Sequence, residues 1–203
     1  MRPHTAFVCA LVLLLALLAC APSFAWLYDG GIPQHAGPVI RDSGTPNWVV
    51  QPFTLAADAS VTGFSVAMGR ILGSDAMGFK VFLTDTLVNA PTNAIAGWEM
   101  CPTRSVLEYY DHALDSPMIL EQGHAYYLVF APNNPNFWGS ISYSQASGYY
   151  GWGSDDHGAT WYRMAYPFCV RVDGTYVPEP GVELGLAVGL IGAMLSRRRF
   201  VSR

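Results

Sequence analysis

Basic residues are scarce in the body of this sequence. Between Trp26 and Tyr176 there are six (Arg41, Arg70, Lys80, Arg104, Arg163 and Arg171) against thirteen acidic ones, which leaves a charge near −7. That balance argues against nucleic acid or anionic lipid as a ligand, because either needs a basic patch to neutralise phosphates. Cysteine is scarce too, with only Cys101 and Cys169 beyond residue 25. Neither has a second cysteine or a histidine at zinc-ligand spacing, so a metal or nucleophile role is disfavoured. Missing as well are an Asp-x-Asp-x-Asp-Gly calcium loop, a zinc-protease histidine motif and a Gly-x-Ser-x-Gly elbow. Helical periodicity is absent between Trp26 and Val177, and long apolar runs are confined to the two ends.

At the N-terminal end, Arg2 precedes an apolar run from Ala6 to Ala21 and the small-residue stretch Pro22-Ser23-Phe24-Ala25. This order predicts a secretory signal peptide over 1–25, cut after Ala25. A rival cut stays open, since Leu17-Leu18-Ala19-Cys20 loosely resembles a lipobox in which Cys20 would carry lipid. Export places the chain in an oxidising compartment, so the isolated pair Cys101 and Cys169 predicts one disulfide.

At the C-terminal end, Val177-Pro178-Glu179-Pro180 is followed by an apolar run from Leu184 to Leu195 and by Arg197-Arg198-Arg199. Twelve residues of helix reach only about 18 Å against a hydrocarbon core of about 30 Å, which is short for a lasting membrane anchor. The arginines should stay cytoplasmic and point the preceding domain outward. This three-part tail, residues 177–203, resembles a PEP-CTERM sorting signal. The resemblance implies that exosortase, a membrane protease, recognises the tail and cuts near Pro178-Glu179-Pro180. It also implies transient retention in the inner membrane of a Gram-negative bacterium, then delivery to the cell surface or extracellular matrix. An ordinary single-pass anchor is the competing reading.

Residues 26–176 are the size of one domain with a real core. Period-two patterning marks strands at Val49–Leu55, Ser60–Ala67, Gly78–Thr84, Ala94–Met100, Ser105–Tyr110, Met118–Leu120, Glu121–Phe130, Gly139–Tyr143, Tyr149–Trp152 and Pro167–Val172. Short strands about ten residues apart predict an all-β fold, an antiparallel β-sandwich with jelly-roll-like character. The order Tyr28-Asp29-Gly30-Gly31, Gln51–Leu55, Val61–Val66, Gly123–Val129 and Cys169–Gly174 also resembles the choice-of-anchor β-sandwich domains carried by PEP-CTERM proteins.

Within the domain, Asp155, Asp156 and His157 are weak metal candidates, since the loop offers too few oxygens for calcium by itself. Aromatic residues crowd positions 137–168, and Tyr149, Tyr150, Trp152 and Trp161 form a belt on which sugar rings of an exopolysaccharide could stack. Core filling is the competing role for each. Glu108 and Asp111 offer a conceivable glycosidase carboxylate pair, of a kind that any acidic β protein presents by chance. The expectation is therefore a non-enzymatic, cofactor-free surface protein processed by exosortase. Its rivals are a carbohydrate-binding module and a permanently membrane-anchored hydrolase.

Overall fold

The computed structural model describes residues 26–37, 39–41, 47–70, 78–104, 106–144 and 150–177. The signal segment, Cys20, Tyr149, Pro178-Glu179-Pro180 and Arg197-Arg198-Arg199 lie outside the described residues. Among the described residues twelve strands occur in chain order: β1 Tyr28–Asp29, β2 Val39–Ile40, β3 Trp48–Phe53, β4 Ala59–Arg70, β5 Phe79–Thr84 and β6 Ala96–Met100. They continue as β7 Glu108–Leu120, β8 Tyr126–Pro132, β9 Gly139–Ile141, β10 Trp152–Ser154, β11 Tyr162–Arg163 and β12 Val170–Tyr176. Among the described residues there is no helix, and hence none long and apolar enough to cross a membrane.

The strands form two antiparallel sheets. In the first, β4 is the spine: β7 runs along one edge, while β12 and then β9 share the other, with β1 beside β12 and β2 beside β9. The second runs β11-β10-β3-β8-β5-β6. The all-β, antiparallel expectation holds.

Alternation explains why the sheets face each other. In β4, Val61, Phe64, Val66 and Met68 are fully buried in one core. Opposite them, β3 supplies Val49 and Phe53, β5 supplies Phe79, Val81 and Leu83, and β8 supplies Tyr126, Leu128 and Phe130. Phe53 of the second sheet meets Phe64 of the first with ring centroids 6.5 Å apart. Each such fully buried side chain contributes about 1.5–3 kcal/mol relative to exposure. The sheets are also clasped by a polar contact. Buried Gln51 on β3 donates from Nε2 to the Tyr28 hydroxyl (3.0 Å) and accepts at Oε1 from the Phe168 amide (2.6 Å).

The sequence reading is corrected in two places. Of Ser105–Tyr110 and Met118–Leu120, read as separate strands, Glu108–Tyr110 and Met118–Leu120 belong to the single strand β7. Its pairing with β4 shifts register between Val61 and Gly63, so Leu114 to Pro117 form a bulge opposite Thr62, with Leu114 still packed against the core. The bulge keeps the strand continuous across a proline that would otherwise end it. The expected Cys101–Cys169 disulfide is not formed. Cys101 follows β6, the outermost strand of the second sheet. Cys169 sits in the first sheet between Ser142 and Ala67 backbone partners, and alternation with inward Phe168 and Val170 turns it toward the outer face. The two thiols belong to different sheets.

Candidate functional site

The metal candidates fall in the loop joining β10 to β11, and their polar atoms serve to close it. Asp156 Oδ1 accepts from Ser154 Oγ and the Thr160 amide, both at 2.8 Å, and its Oδ2 accepts from Thr160 Oγ1 at 2.6 Å. These bonds, the Thr160 hydroxyl first, hold the Asp156 carboxyl down at about 2. Asp155 instead accepts from the Tyr162 hydroxyl at 2.9 Å, and burial, reinforced by that bond, lifts the phenol to about 12. Asn47 takes the third position, accepting from the His157 amide at 3.2 Å and donating to the Asp155 carbonyl at 2.9 Å. His157 and Gly158 both adopt positive φ (58° and 84°), which tightens the turn. Among the described residues no group of three His, Cys, Asp or Glu could hold a metal.

The aromatic candidates separate. Tyr150 and Trp152 share an open groove of about 430 Å³ on the outer face of the second sheet, lined also by Pro52, Thr54, Ala125 and Arg163. Antiparallel pairing sets Arg163 directly across from Trp152, and its guanidinium lies 3.3 Å over the Tyr150 ring. Trp161 does not line that groove. It packs with Trp48, Phe82, Tyr127 and Trp152 itself over buried Val50 and Val129, as a second apolar layer outside the sheet. Its Nε1 is buried with no hydrogen-bond partner, so the ring is held by packing alone.

Glu108 and Asp111 do not form a carboxylate pair. Three positions apart on β7, they point to opposite faces. Glu108 lies at the rim, accepting from Tyr110 Oη at 2.9 Å, whereas Asp111 lies opposite Ser65 on the outer face. His112, on the core side, stacks on Trp98 at 4.8 Å, and burial lowers its pKa.

A second groove, of about 470 Å³, was not anticipated. It lies on the outer face of the first sheet and is lined by Trp26, Ser65, Tyr109, Asp111, Arg171 and Asp173 among others. Arg171 is sandwiched there, 3.7 Å from the Trp26 ring and 3.9 Å from that of Tyr109, with Nε 3.4 Å from Asp29 Oδ1. Tyr109 donates to the Gly31 carbonyl at 2.7 Å, and burial raises its pKa strongly. The signal for this cluster was the alternation Cys169-Val170-Arg171-Val172-Asp173, whose odd positions must face outward.

No protein-family model matches the chain, and no curated protein matches it significantly.

Proposed function

We propose that the chain is an exported, non-enzymatic cell-surface or extracellular-matrix protein, sorted and processed by exosortase through residues 177–203. On this reading the folded domain sits between an N-terminal signal and a C-terminal membrane segment. The observation that carries it is the three-part tail: Pro178-Glu179-Pro180, an apolar run too short to span comfortably, and Arg197-Arg198-Arg199. Continuity with the sheet supports it: β12 runs to Tyr176 and the Val177 amide bonds to the Asp58 carbonyl at 2.7 Å, so a paired strand leads directly into the first residue of the motif. Pro178 and Pro180 have no amide hydrogen to continue a ladder. Replacing Glu179 with Ala should leave the tail uncut in a host that carries the processing enzyme. C-terminal peptide mapping checks this, and normal cutting of the variant would remove Pro178-Glu179-Pro180 from its assigned role.

A second reading, a carbohydrate-binding module, is favoured by the groove in which Tyr150 and Trp152 meet. Flat rings beside an open trough are what the apolar faces of sugars stack on. Affinity electrophoresis of the exported protein in gels containing neutral or acidic polysaccharide tests it, with retardation expected.

A further inference from the structure

Three arginines of this domain stack on aromatic rings, Arg41 on Trp138 at 4.9 Å among them, and the two that line grooves are used differently. Arg171 has both faces covered, by Trp26 and Tyr109, and its Nε is paired with Asp29. Its charge is met within the fold, so its role there is structural. Arg163 has one ring, Tyr150, against it at 3.3 Å. Among the described residues no carboxylate pairs with it, and no carboxylate lines its groove. In a domain with thirteen acidic residues and six basic ones, a cation left without a carboxylate in an aromatic trough calls for an explanation.

The geometry supplies one. Stacking uses the flat face of a guanidinium and leaves its in-plane N–H donors available, and that fork matches a carboxylate. Trp152, directly across the β10–β11 pair from Arg163, offers an apolar surface beside that fork. Together they present a ring platform and a carboxylate clamp side by side. We propose that this groove binds a uronic-acid residue of an acidic polysaccharide, the sugar on Trp152 and its carboxylate on Arg163. This rests on the carbohydrate-binding reading and adds the ligand class to it.

The test uses the full exported chain and three probes: polygalacturonate, the same polymer with its carboxyls reduced to alcohols, and dextran sulfate. Affinity electrophoresis gives the dissociation constants. Polygalacturonate should bind about three- to tenfold more tightly than its reduced form, the worth of one charged hydrogen-bonded contact in an open site. Arg163→Gln should erase that preference while still binding the reduced polymer. Arg163→Lys should keep part of it, and Trp152→Ala should weaken both polymers. Arg104→Gln, an exposed arginine far from the groove in sequence and paired with Glu108, should change nothing. Equal binding of the carboxylated and reduced polymers, or an unchanged Arg163→Gln, would overturn the uronate assignment and leave the glycan module standing. Dextran sulfate competing as well as polygalacturonate would also overturn it, as charge attraction without sugar recognition. Failure of every polymer to bind would remove the glycan reading itself.

Discussion

Gln51 shows how much one polar side chain can hold in this domain. It is fully buried, and its amide links Tyr28 and the Phe168 backbone across the two sheets. Gln51→Leu keeps roughly the same volume but takes away the acceptor of the buried Phe168 amide. The expected loss is about 1–3 kcal/mol in urea unfolding, the cost of orphaning that group. Asp156 gives a pH prediction of definite sign. Its folded pKa of about 2 lies below the ordinary 3.8, so its contribution is present above the ordinary value and fades as pH falls toward the folded one. The urea midpoints of the native protein and Asp156→Asn should therefore differ at neutral pH and converge on acidification to about 2. The cysteines give a third. Burial lifts the Cys169 thiol to about 11, so alkylation at pH 8 should modify half-buried Cys101 well before Cys169. Denatured without reductant, the protein lacking residues 1–25 should take up two alkyl groups, and uptake of none would restore the disulfide.

Elements were legible where one face is buried and the other is not. Val61, Phe64 and Val66 alternate with small or polar neighbours, and β4 lies where that pattern puts it, extended to Ala59–Arg70. β7 was hidden because Pro117 and Asp115 look like breaks, whereas a bulge opposite Thr62 absorbs them. The two-residue strands β1, β2 and β11 carry too few positions for any period to register. Pairing also decided the site. Trp152 and Trp161 are the same residue type in the same stretch and both cap Val50 and Val129, yet of the two Trp152 alone also lines the groove. Arg163 carried no signal, because only the register Trp152↔Arg163 brings it to the rings. Close packing at β9 gives a prediction at this scale. A Cβ on Gly139 would lie 2.7 Å from the ring of Phe137, which is fully buried and packed edge-on against Phe79. Gly139→Ala should cost about 1–3 kcal/mol as an overpacked core, measured by thermal or urea unfolding.

For the whole molecule, the shared core explains why one compact domain should unfold as a unit. Phe64 stacks on Trp98 at 5.1 Å and faces Phe53, so it touches both sheets. Phe64→Ala should cost about 3–5 kcal/mol in a single transition. The outer faces, by contrast, carry the two grooves, and the tail carries the route. The measurement that bears most directly on that route is the intact mass of the protein recovered from its own host, with and without the processing protease. We predict a species ending near Pro178-Glu179-Pro180 when the enzyme is present and one retaining Arg203 when it is absent. A chain that keeps Arg203 in both strains would contradict the sorting assignment.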